Sequence, residues 1–151
     1  MPIVVYSVIS KQDMRDLANT FSAMADSTRL EMLALLFLQE ELCVCDFVGT
    51  LGISQSKASR HLRYLWNARV LEDRRSGLWV HYRISRSLDS EREKLINALR
   101  IVFAERDLSE LKGKLADWLR RKDCSTACAS PPVQELSAKT KQRRAAAEDE
   151  P

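Results

Sequence analysis

The sequence predicts a mainly α-helical domain with one small β-hairpin, arranged as a winged helix-turn-helix, and three observations predict it. A short apolar helical pattern at 44–51 ends on Gly52 and leads into a helix, from Ser54 to Arg69, whose apolar and basic residues fall on opposite sides. Two β-prone runs then flank Ser76-Gly77, a hairpin signature. Breakers are scarce elsewhere, with four glycines and four prolines in 151 residues, which favours helix over sheet.

Taken in order, residues 11–25 carry Met14, Leu17, Ala18, Phe21 and Met24 at the spacing of one helical face. Ser27 is the expected cap of a second helix with Leu33, Leu36 and Phe37 inside, ending at 39–41. The third helix, 44–51, turns Phe47, Val48 and Leu51 inward, and Gly52 suits its left-handed terminus. In the fourth, at about 100° per residue, Ala58, Leu62 and Leu65 form a buried stripe. Ser56, Arg60, Arg63 and Asn67 lie opposite, flanked by Lys57 and Ser59. The hairpin over 71–84 is a wing, with Arg74 and Arg75 placed at its tip and Trp79 and Tyr82 in its core. Two further helices are expected at 90–103, with Leu95, Ile96, Leu99 and Val102 on one side, and at 108–121. Trp66 and Trp118 read as packing residues. The chain divides into an N-terminal arm (1–10), one folded domain (11–123) and a cysteine-containing tail (124–151). Beyond 129 its Ser, Ala, Pro, Lys, Arg and Glu cannot bury a core and predict disorder.

No apolar run approaches the roughly 18 residues of a membrane span, and the start lacks a signal peptide's basic region and cleavage site. A cytoplasmic protein with no membrane partner is expected. There thiols stay reduced, and paired cysteines more often bind metal or sense redox than form structural disulfides. The net charge of +3 conceals an uneven distribution: 54–86 holds eight basic residues against Glu72 and Asp73, so that segment carries +6 and the remainder −3. Concentrated positive charge on a small element is the electrostatic footprint of nucleic-acid binding, here double-stranded DNA. The candidate contacts are Ser54, Gln55, Ser56, Lys57, Ser59, Arg60 and Arg63 on the helix, with Arg74 and Arg75 on the wing.

At the entrance to the helix-turn-helix stands Cys43-Val44-Cys45. Thiolates bind soft metals, and a helix N-terminus favours thiolate. Sulfurs sharing one metal at bonds near 2.3 Å must lie within about 4 Å of each other, whereas a regular helix sets residues i and i+2 roughly 200° apart. Metal binding is therefore expected to unwind that first turn. Two small buried hydrophobes are the plainer reading. Cys124 and Cys128, spaced i, i+4, are either spare thiols or further ligands of the same centre. A soft-metal chelate fused to a DNA reader has the layout of a metal-responsive switch.

The runs Glu41-Leu42-Cys43-Val44-Cys45-Asp46, Ser54-Gln55-Ser56-Lys57-Ala58-Ser59-Arg60-His61-Leu62 and Gly77-Leu78-Trp79-Val80-His81-Tyr82-Arg83 resemble the ArsR/SmtB family of metal-responsive repressors over about 17–84. They look closest to its arsenical-resistance members. The resemblance implies a homodimer, joined through the helices at 11–25 and 90–103, that blocks its own operon's promoter until metal binds. It departs from the family in two ways. The third cysteine that arsenic-binding members often carry is Val48 here, and the N-terminal arm lacks the cysteines of cadmium- and lead-binding members. The Asp and His pairs of zinc members are also missing, since His61 and His81 both lie in the DNA-binding part.

The reading is a repressor that needs no cofactor to bind operator DNA and is released by As(III) or Sb(III). Arsenite takes three sulfurs, so Cys43 and Cys45 need a tail cysteine or an outside thiol. All four cysteines would suit Cd(II) or Pb(II), and a thiol-redox sensor is the remaining alternative. A metal carrier or small redox enzyme could hold a Cys-x-Cys but has no use for the basic helix and wing. The sequence has no Ser/His/Asp set, phosphate-cradling glycine loop or paired-carboxylate motif, so no enzyme is expected. His61 faces the core edge rather than the groove.

Overall fold

The computed structural model describes residues 9–122. It runs α1 (Lys11–Met24), α2 (Ser27–Leu38), β1 (Leu42–Cys43), α3 (Val44–Leu51), α4 (Gln55–Asn67), β2 (Leu71–Ser76), β3 (Trp79–Ile84), α5 (Ser90–Ala104) and α6 (Ser109–Arg121). Most of the arm at 1–10 and the tail at 124–151, with Cys124 and Cys128, lie outside the described residues.

Capping explains most boundaries. Ser10 and Asp13 exchange hydrogen bonds in a capping box that starts α1. Asp26, not Ser27, caps α2: its carboxylate accepts from the Arg29 N–H at 2.9 Å. Both residue types suit the position, and the helix begins one residue earlier than the serine suggests. Gly52 closes α3 at φ 65°, a conformation a Cβ disfavours. Ser54 caps α4 by accepting from the Lys57 N–H at 3.2 Å. Ala58, Leu62 and Leu65 then bury completely, with Phe47, Leu33, Leu35 and Tyr82 in the same core. Burial pushes the Tyr82 phenol up to about 12.

The sheet differs from the expected hairpin. A third, two-residue strand joins it in the order β1-β3-β2, antiparallel throughout, pairing Leu42 with Tyr82 and Cys43 with His81. Two residues carry no readable alternation, so β1 exists because β3 offers an edge. The wing turns at Gly77-Leu78, with Ser76 opposite Trp79, so Arg74 and Arg75 sit on β2 below the tip. Two packing assignments also change. Trp66 is 47% exposed and donates to Asp73 Oδ1 at 2.8 Å, and Val102 is 44% exposed while Ile96 is buried.

The last helix, α6, folds back onto α3 and α2. Trp118 lies against Gly49, where an added Cβ would overlap its ring. That contact brings the end of α6 to the start of α3.

Candidate metal centre and nucleic-acid interface

Cys43 and Cys45 meet because they belong to different elements. Cys43 is the capping residue of α3, with φ −87° and ψ 168°, and Cys45 lies in the first turn. An extended cap swings its side chain back over the turn, and the structure joins the two sulfurs in a disulfide with Cα atoms 5.4 Å apart. The two side chains are therefore not opposed as a regular helical turn would set them, because that angle holds only when both residues are helical. Both cysteines are buried.

Asp46 completes the only cluster of three potential metal-ligand residues among the described residues, its carboxylate lying within 4.8 Å of both sulfurs. Its oxygens are already engaged. Oδ2 accepts from the Cys43 N–H at 2.8 Å. Oδ1 accepts from Trp118 Nε1 at 3.0 Å and pairs with Lys122 Nζ at 2.8 Å. The residue is 2% exposed, so this carboxylate is a buried anchor joining the sulfur site to α6. Lys122 Nζ also lies 3.4 Å from Cys43 Sγ. Sequence reasoning assigned none of Asp46, Trp118 and Lys122 to the site. The acidic residue three places after a cap was the one available signal, since it is half of a capping box. Once reduced, the two adjacent sulfurs form a donor set suited to a soft, thiophilic ion, while the committed carboxylate does not add a hard ligand. The position of the family's third cysteine, Val48, is packed against the core.

The site is wired to the wing. Cys43 is a rung on β3, and Glu41 just before it receives Arg74 Nη2 at 2.6 Å and Arg83 Nη1 at 2.9 Å. The Arg74 guanidinium, with Arg83 beside it, holds the Glu41 carboxyl down at about 2. Arg83 bridges on to Glu72 at 2.6 Å.

On α4, Gln55, Ser56 and Arg60 are exposed, and Lys57, Ser59 and Arg63 half-buried. Ser54 is spent partly as the cap, its hydroxyl also 3.3 Å from that of Ser56. On the wing, Arg74 is turned to Glu41, whereas exposed Arg75 shares the face of Asp73, which holds Trp66 of α4. His61 packs at the start of α2, Nδ1 being 3.5 Å from Asp26 and 3.4 Å from Arg29. Burial pushes its pKa below the ordinary histidine value, against the opposing pull of Asp26.

Comparison with known proteins agrees with this geometry. The model of the bacterial regulatory protein arsR family matches residues 26–73. The arsenic resistance transcriptional regulator ArsR1 of Pseudomonas putida is 37% identical over 110 residues, 72% of this chain and 84% of that relative. Among solved structures, the antimony-specific transcriptional repressor AntR superposes with a TM-score of 0.53 at 25% identity, over 70% of this chain and 93% of that one. The homodimeric winged helix-turn-helix domain Mb0332 of Mycobacterium bovis gives 0.53 at 26%, covering 68% and 94%. No described helix is long and apolar enough to cross a membrane. With its relative matched over most of both lengths and a winged helix behind the cysteine pair, the chain belongs to the ArsR family of transcriptional regulators.

Proposed function

We propose that this chain is a homodimeric repressor that holds operator DNA until a trivalent metalloid, As(III) or Sb(III), binds the thiolates of Cys43 and Cys45. The observation that carries the reading is the double membership of Cys43, which caps the first helix of the helix-turn-helix and pairs with wing strand β3. An inducer releases DNA only through its preference for the low-affinity conformation, a coupling of typically about 1–3 kcal/mol. Bonds made at Cys43 act on α3, ahead of α4, and on the wing at once. Gln55, Ser56, Lys57, Ser59, Arg60 and Arg63 face the major groove from α4, whose N-terminus is fixed by Ser54, and Arg75 reaches the backbone from the wing. Arg74 does so only by leaving Glu41. The remaining sulfur comes from Cys124, Cys128 or an outside thiol. Exposed Met14 and Phe21 on α1, with Ile101 and Val102 on α5, supply an apolar surface for the dimer.

The test is to titrate reduced protein on its upstream DNA with arsenite, antimonite, cadmium, lead, zinc and peroxide, following fluorescence anisotropy. Release by the first two is expected. Cys43→Ser and Cys45→Ser should bind DNA normally and ignore both, because neither sulfur faces the groove. Release of the double variant by arsenite would place the sensor elsewhere. One observation favours a second reading: the Cys43–Cys45 disulfide of this structure suits a thiol-redox sensor, for which peroxide releases the DNA and arsenite does not.

A further inference from the structure

We propose that Tyr64, braced by Arg29, donates its phenol to a DNA phosphate on the groove wall opposite the wing, and so sets how α4 is seated. This rests on the operator-binding part of the reading above and deepens it. Going round α4 at about 100° per residue, Trp66, Arg63, Arg60, Tyr64 and Lys57 follow one another across the outward face. Trp66, at one edge, is tied to the wing through Asp73. Tyr64 lies roughly 200° from it, on the edge turned to Arg29 of α2. A helix with its side chains is about 10–12 Å across and the major groove about 12 Å wide, so the two edges of a seated helix meet backbone rather than bases. In that arrangement Arg75 of the wing meets one wall. The other wall falls to Tyr64 and to Lys57, which lies seven residues earlier on the same edge.

Tyr64 is held for a directed contact. It is 57% exposed, although Leu62 and Leu65 beside it are buried. The Arg29 guanidinium stacks 4.6 Å from its ring centroid. That guanidinium is itself fixed: Nε donates to Ala23 O, Nη2 donates to Ser22 O at 2.9 Å, and Nη1 lies 3.4 Å from His61 Nδ1. Arg29 therefore joins the end of α1, the start of α2 and the flank of α4. An exposed aromatic side chain ordinarily samples several rotamers, and stacking on a fixed plane removes that freedom before DNA arrives. The hydroxyl meets no protein partner among the described residues, which leaves its hydrogen for a phosphate oxygen. Asp26, the acidic residue of this corner, is occupied as the α2 cap and accepts from the Arg29 N–H. Arg29 and Lys57 draw an anion to this edge, and the phenol gives the contact its direction. Phosphate contacts fix register and orientation without reading sequence. Tyr64 is thus a contact residue, and Arg29 a positioning residue that acts through it.

The experiment uses the full chain, reduced with dithiothreitol, and a duplex from its own upstream DNA trimmed to the footprint. Tyr64→Phe keeps the ring and its stack on Arg29 and removes only the hydroxyl, so a packing role alone would leave DNA binding unchanged. Affinity should instead fall about tenfold, by a similar factor on operator and scrambled duplexes. Because no charge is lost, the salt dependence of log Kd should keep its wild-type slope, whereas Lys57→Ala should flatten it. Replacing single phosphates by uncharged methylphosphonate should find one position per half-site whose penalty shrinks in Tyr64→Phe and persists in Arg75→Ala. Arg29→Lys should weaken binding too, and that loss should largely vanish in the Tyr64→Phe background. Wild-type affinity in Tyr64→Phe, or a methylphosphonate map that this variant leaves unchanged, would overturn the contact. A full Arg29→Lys penalty in the Tyr64→Phe background would overturn the bracing. If the wild type binds no upstream duplex specifically, the repressor reading fails and this proposal with it. If the wild type binds and Tyr64→Phe binds equally well, only the present proposal falls.

Discussion

Arg74 and Arg75 are neighbours in sequence with different employments, and the difference is testable residue by residue. Arg74 spends its guanidinium on Glu41, while Arg75 lies exposed on the α4 side of the wing. Arg75→Ala should weaken binding evenly across DNA sequences and flatten its salt dependence. Arg74→Ala should instead act on stability, by about 1 kcal/mol or less, since the pair is partly solvated. Arg60→Ala and Arg63→Ala should each weaken specific binding by about 1–3 kcal/mol where the side chain reads a base, leaving non-specific binding less affected. Anisotropy on operator and scrambled DNA separates these outcomes. If none of the Arg60, Arg63 and Arg75 variants alters DNA binding, the assigned interface is wrong. Glu41 makes a pH prediction. Its carboxyl is held at about 2 against an ordinary 4.5, so its contribution is complete above pH 4.5 and lost as the pH falls towards 2. Urea unfolding of wild type and Glu41→Gln should show the wild type's advantage at pH 7 shrinking by pH 3.

At the scale of elements, α6 matters because Trp118 fits only against a glycine. Gly49→Ala places a methyl where the ring now lies and should destabilise the protein by about 1–3 kcal/mol. Trp118→Ala added to it should cost less than the two single changes together, since the clash is already gone. Denaturant melts of the three variants measure this, and simple additivity would mean α6 does not pack there. Asp46→Ala removes the buried acceptor shared by the Cys43 N–H, Trp118 Nε1 and half-buried Lys122 and should cost about 1–3 kcal/mol.

The whole molecule presents its basic helix on one side and exposed Met14, Phe21, Ile101 and Val102 on α1 and α5. A two-fold dimer through α1 and α5 carries two recognition helices, so the operator should be an imperfect inverted repeat. Footprinting that protected a single asymmetric half-site would count against it. Phe21→Glu puts a charge in the proposed dimer surface and should yield monomers by sedimentation, with operator affinity falling much further than thermal stability does.

What was legible in the sequence was whatever depends on neighbours along the chain. The helical periodicity of 55–67, the glycine at 52 and the turn at Ser76-Gly77 are local signals, and the winged helix followed from them. The cysteine pair was visible for the same reason. What tertiary structure alone decided involves partners distant in sequence. Strand β1 exists only on the edge of β3, and Arg74 turns away from the α4 side of the wing because Glu41, thirty-three residues earlier, is near. The disposition of the two sulfurs turned on one backbone angle, because an extended Cys43 brings together sulfurs that a helical Cys43 would hold apart. Asp46 and Lys122, seventy-six positions apart, became one site because Trp118 fits over Gly49, a contact set by shape that no periodicity encodes.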